Sequence, residues 1–80
     1  MKVKRIISKY HFNSESRIEE IILPELDIRW LSSCFKHPTS DSLLYNSYRI
    51  GPNEYKKMIE VLDIKLDLEN FEYFLESASY

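Results

Sequence analysis

Apolar positions recur along this chain in two periods, and the changes from one to the other divide it into elements. Residues 2–12 are rich in β-branched and aromatic types, with Ile6, Tyr10 and Phe12 on one parity, which predicts a strand. The polar cluster Asn13-Ser14-Glu15-Ser16 consists of turn formers. Arg17-Ile18-Glu19-Glu20-Ile21-Ile22-Leu23 reads as a second strand, bounded by Pro24, and the two are expected to form an antiparallel hairpin. Lys2, Lys4, Arg5 and Lys9 then face a strand bearing Glu19 and Glu20. Opposite charges across a hairpin are worth about 0.2–1 kcal/mol a pair, so they bias the pairing without driving it.

Between Pro24 and Pro38 the period lengthens. Ile28, Leu31 and Phe35 fall at i, i+3 and i+7, a stripe suited to packing on a sheet, and Asp27 stands where an N-cap is needed. Trp30 lies beside the stripe, where its indole can close the edge of the core or lie exposed, the core being preferred, and Cys34 reads as a small buried apolar residue. The longest polar connection, residues 36–42, follows. Residues 43–50 are then expected to form a third strand, with Tyr48 and Ile50 on one face and Ser47 and Arg49 on the other. Gly51-Pro52-Asn53-Glu54 ends it and opens a helix over residues 52–62, since Pro suits the first helical position and Glu the positive end of the dipole. Tyr55, Met58, Ile59 and Leu62 supply its apolar face, with Lys56, Lys57, Glu60 and Asp63 opposite.

The closing run, residues 66–76, is at once apolar and acidic. Phe71, Tyr73 and Leu75 alternate with Glu72, Phe74 and Glu76, as in a strand with one buried face; Leu68, Phe71, Leu75 and Ala78 also fit a helix. Strand is preferred, because aromatic residues favour β structure and two helices need a sheet wide enough to cover them. In the helical alternative Glu69, Glu72 and Glu76 still share a face. The expectation is a single α+β domain over residues 1–80, with a small sheet of about four strands, two helices and the order ββαβαβ.

Composition narrows the class. With 44% hydrophobic and 30% charged residues the chain is too apolar for disorder. A single Gly rules out glycine-rich phosphate loops, and no cofactor motif is present. Cys34 is the only cysteine, which excludes an internal disulfide and suits a reducing cytosol. The opening residues lack the apolar run of a signal peptide, and no stretch approaches the roughly 20 apolar residues of a membrane span, so the expected location is the cytoplasm, with no membrane partner.

The net charge of −2 hides an asymmetry: residues 1–40 carry seven Lys or Arg against five Asp or Glu, and residues 41–80 carry four against eight. An acidic surface repels nucleic acid and favours basic partners; with no basic stripe among the aromatics, direct nucleic-acid binding is not expected. His11 and His37 lack neighbouring ligands, so no metal site is expected. Cys34 lacks a base at recognisable spacing. On a strand Glu72 and Glu76 lie about 13 Å apart, beyond paired-carboxylate catalysis; a pair two residues apart, such as Asp67 and Glu69, qualifies at about 7 Å, but so would many acidic strands. An enzyme is not expected. Protein binding remains, and Tyr45, Tyr73 and Tyr80 beside the late carboxylates suit an interface.

Several of these stretches resemble a known family: the hairpin ending in Leu23-Pro24, the helix through Leu31 and Phe35, Asp41 followed by Tyr48-Arg49-Ile50, and the terminal Asp67-Leu68 with residues 71–76. The chain resembles small bacterial immunity proteins of polymorphic toxin systems such as contact-dependent growth inhibition. It departs from them at Gly51-Pro52, where Thr or Ser is expected to open the helix. The resemblance implies an antitoxin that neutralises a cognate toxin C-terminal domain, often a nuclease, by stoichiometric binding without turnover. The charge argument, not the resemblance, selects the partner-binding residues: Asp41, Tyr45, Asp67, Glu69, Glu72, Tyr73 and Glu76. The alternative is a small interaction or regulatory module, a homodimer formed through its exposed first or last strand.

Overall fold

The computed structural model describes residues 3–37, 39–41 and 44–79. Four strands, β1 (Val3–Tyr10), β2 (Arg17–Ile22), β3 (Tyr48–Arg49) and β4 (Glu72–Ser79), form one antiparallel sheet in the order β2-β1-β4-β3. Helices α1 (Ile28–Ser33) and α2 (Pro52–Met58) come between β2 and β3 and between β3 and β4. The architecture is α+β in the order ββαβαβ, with an added 3-10 turn at Thr39–Asp41. The closing run becomes strand only from Glu72, after a turn at residues 68–70, and β4 lies in the interior of the sheet, paired with β1 along its whole length.

The hairpin turn uses the chemistry of its polar residues. Asn13 takes a left-handed backbone, φ 61°, which Asn tolerates better than most residues, and the Ser14 N–H donates to the His11 carbonyl at 3.2 Å. Register then follows apolar burial. Ile7 stands opposite both Ile21 and Leu75, and Ile7 and Leu75 are wholly buried. Each such side chain contributes about 1.5–3 kcal/mol. The Lys9–Glu19 pair, at 4.0 Å and with Glu19 well exposed, is worth less than about 1 kcal/mol.

Asp27 caps α1, its carboxylate accepting from the Arg29 N–H at 2.9 Å. Leu31 and Phe35 are buried and Ile28 half-buried; Trp30 packs partly buried at the margin of the core. Met58 of α2 is fully buried, and Leu62, beyond the end of the helix, nearly so. The helix is shorter than its periodicity suggests. After Met58 the N–H groups of Glu60 and Val61 bond three residues back rather than four, a tightened ending that leaves Ile59 and Val61 exposed.

The third strand also departs from expectation. It shrinks to Tyr48–Arg49, because Leu44 takes φ 54° with its side chain wholly buried. A left-handed Leu cannot continue a strand. Expectations for Lys2, Pro38, Ser42, Leu43 and Tyr80 lie outside the described residues. A further correction concerns the sheet edges. β1 and β4 occupy the interior, so neither is an exposed edge; the edges are β2 and β3.

Candidate functional site: the uncovered sheet face

Alternation along β1 and β4 separates two faces. Ile7, Tyr73 and Leu75 join the core with Leu31 of α1 and Met58 of α2. Their neighbours, Ile6, Ser8 and Tyr10 on β1 and Glu72, Phe74 and Glu76 on β4, lie on the opposite face, outside the core cluster that joins the helices; Ile6 and Ser8 are buried there and the other four half-buried. β2 adds Glu20 and Ile22, which stand opposite Ser8 and Ile6. β3 adds Arg49 opposite Phe74.

Aromatic residues organise this face. Tyr10 stands opposite Glu72, yet its hydroxyl donates to Glu76 at 3.1 Å, two cross-strand positions along. The phenol ring therefore lies across the Ser8 and Phe74 pair, edge-on to Phe74 with centroids 5.6 Å apart. Ser8 is wholly buried beneath this arrangement. Burial, followed by the hydrogen bond and charge of Glu76, raises the Tyr10 phenol above its ordinary value. Beyond Tyr10, a cleft of about 300 Å³ opens between Tyr10, Ser14, Glu15, Ser47, Glu72 and Phe74.

The residues expected to bind a partner fall into three groups. Glu72 and Glu76 share the uncovered face, both half-buried. Asp67 and Glu69 are exposed in the turn leading into β4. Asp67 is partly engaged there, accepting from the Asn70 side chain at 2.8 Å. The remaining three lie elsewhere. Tyr45 is exposed at the far end of β4, its ring facing the Arg5 guanidinium at 5.6 Å and its carbonyl accepting from Ser77. Tyr73 is buried in the core and its hydroxyl accepts from the Asp67 N–H at 3.1 Å.

Asp41 is buried as well. Its carboxylate accepts from the Tyr48 hydroxyl and from the N–H groups of Tyr45 and Asn46, at 2.9 and 3.1 Å. Those bonds, that of Tyr48 foremost, hold the Asp41 carboxyl below the usual range and raise the Tyr48 phenol. Asp41 and Tyr73 thus secure loops and core. Tyr10, Phe74, Glu15 and Glu20 were missed as site residues; the parity shared by Tyr10 and Ile6, set against the acidic parity of β4, is the signal that finds them.

Other features carry less chemistry. Cys34 is buried, its Sγ donating to the Trp30 carbonyl at 3.6 Å, and burial pushes the thiol up, away from the reactive thiolate. Among the described residues no group of three His, Cys, Asp or Glu is arranged to hold a metal, and no helix is long and apolar enough to cross a membrane.

A family model described as Domain of unknown function (DUF7683) matches residues 4–76. The chain belongs to that family. None of the curated proteins or solved structures compared with the chain matches it. The span matched to DUF7683 includes both helices and every residue lining the cleft.

Proposed function

We propose that this protein is a bacterial immunity protein that neutralises a cognate toxin domain, of nuclease type, by stoichiometric binding through its uncovered sheet face. One observation carries the reading. A four-stranded sheet has helices on one face only, and the other presents Tyr10 and Phe74 among Glu20, Glu72 and Glu76. Rigid aromatic area set among carboxylates is the chemistry of a surface that meets a basic protein, with charge steering the encounter and the rings supplying contact. Nuclease domains carry positive substrate clefts, because phosphate neutralisation dominates their affinity. The sequence resemblance to immunity proteins points the same way, and no turnover chemistry is invoked.

The experiment is co-purification with the toxin-like C-terminal domain of a secreted protein encoded in the neighbouring reading frame, followed by affinity measurement over a range of salt. The wild type is expected to bind at one-to-one stoichiometry, more weakly as salt rises. Charge reversal at Glu72 and Glu76 together should weaken binding and flatten the salt dependence. Unchanged affinity and slope would remove this face from the interface, and failure of the wild type to bind would remove the antitoxin reading.

A further inference from the structure

The cleft at the Tyr10 end of the uncovered face has a more specific chemistry than the face as a whole. Two aromatic rings stand at 83° to one another in its wall. Two carboxylates, Glu15 from the hairpin loop and Glu72 from the start of β4, line it with the small polar residues Ser14 and Ser47. Several carboxylates elsewhere are engaged within the chain: Glu19 by Lys9, Glu20 by Arg17, Glu54 by the Gly51 N–H and Glu76 by Tyr10. The side-chain carboxylates of Glu15 and Glu72 take part in no ion pair or side-chain hydrogen bond among the described residues. Arg49, opposite Phe74, is exposed and does not line the cleft.

The chain also uses cation–aromatic contact to hold itself together. The Lys9 ammonium sits 4.0 Å from the centre of the Phe71 ring, and the Arg5 guanidinium 5.6 Å from that of Tyr45. Phe71 and Tyr45 therefore have cations of the chain's own. Arg17 stands opposite Tyr10 in register but is paired with Glu20, and the Tyr10–Phe74 pair, beside Glu15 and Glu72, offers the same kind of contact to a cation from outside.

We propose that this cleft is a subsite for an arginine side chain presented by a protein partner. The guanidinium packs against the Tyr10–Phe74 pair, with its N–H groups shared between Glu15 and Glu72 and the serine hydroxyls as further acceptors at the rim. Arginine fits better than lysine on physical grounds. Its planar, weakly hydrated fork stacks on a ring and still reaches two carboxylates, whereas an ammonium is a compact, strongly hydrated point charge. The identity of the partner rests on the immunity reading; the subsite is testable without it.

The test is a titration of the isotopically labelled full chain, followed by amide NMR, with glycyl-arginyl-glycine, glycyl-lysyl-glycine and triglycine. The arginyl peptide is expected to give saturable shifts at the amides of Tyr10, Glu15, Glu72 and Phe74, the lysyl peptide a clearly higher midpoint, and triglycine no shifts there. The double substitution E15Q/E72Q should raise the arginyl midpoint about tenfold. Phe74→Leu, checked for folding by its spectral dispersion, should weaken it as well. Shifts that do not saturate at these amides, equal midpoints for arginine and lysine, or an unchanged midpoint in E15Q/E72Q would overturn the subsite. A toxin that binds E15Q/E72Q as well as wild type would overturn the subsite while leaving the immunity reading in place. Saturable arginine binding without any toxin partner would do the reverse.

Discussion

At the scale of single residues, Asp41 shows how one side chain converts a polar connection into fixed structure. It draws in three donors, including the N–H groups of Tyr45 and Asn46 that follow the left-handed Leu44. These bonds favour the carboxylate, so its pKa is lower in the folded chain than the roughly 3.9 of an unfolded Asp. A depressed folded pKa contributes stability that is full well above that unfolded value and disappears as pH falls through the folded one. Tyr48 has the opposite sign: its raised phenol contributes stability below pH about 10, lost as pH rises through the folded value. The wild type should therefore lose urea resistance as pH drops from about 5 toward 2. Asp41→Asn should be less stable at neutral pH and lose less over that acid range. Parallel acid dependences in the two proteins would show that Asp41 is not the linked group. None of these bonds was visible in the sequence, where Asp41 and Tyr48 shared a stretch of the family resemblance and Asp41 was assigned to the interface by its charge. Tyr73 was different: its parity with Leu75 already marked it for the core, and the charge argument alone had drawn it into the interface.

At the scale of elements, the start of α2 departs from the usual cap. Gly51 has no side chain with which to bond the first turn, and its φ of −88° requires no glycine. A Cβ there would lie 2.7 Å from Glu54 Oε1, the end of a flexible side chain that can move aside but also the oxygen that accepts from the Gly51 N–H at 2.9 Å. Only the returning half of a capping box is present, and it depends on Glu54. Glu54→Ala should cost about 1 kcal/mol. Gly51→Ala should act partly by displacing the same carboxylate, so the double variant is expected to lose less than the sum of the two in urea denaturation. Additive losses would show the two residues to be independent. Elements whose partners lie close in sequence were legible, as with Asp27 capping α1 and the alternation of β4. β3 was not, because its shortening follows from a backbone turn at Leu44 that depends on the placement of Asp41. The aromatic face was half legible: alternation separated Phe74 from Tyr73, but only the β1–β4 pairing shows Tyr10 lying over Ser8.

For the molecule as a whole, the sheet order decides which self-association is open to it. β2 is the longer edge, with Ile18 and Ile22 exposed. An antiparallel pairing of β2 with its own copy over the full strand, or shifted to centre on Glu19 or Glu20, places glutamate opposite glutamate, which is destabilising. Charged residues on an edge commonly serve this purpose. Sedimentation should show a monomer, and replacing Glu19 and Glu20 with Thr should promote association; a wild-type dimer through β2 would contradict the charge argument. The same order joins Val3 to Ser79 across the two interior strands, so the two ends of the described chain meet at one end of the sheet. Tyr10 and Glu72 close the other end of that strand pair, roughly 24 Å away at about 3.4 Å per residue. An affinity tag, a fluorophore or a surface tether attached at either end is thus held away from the arginine cleft, and one attachment geometry serves both ends in single-molecule or biosensor measurements of a partner.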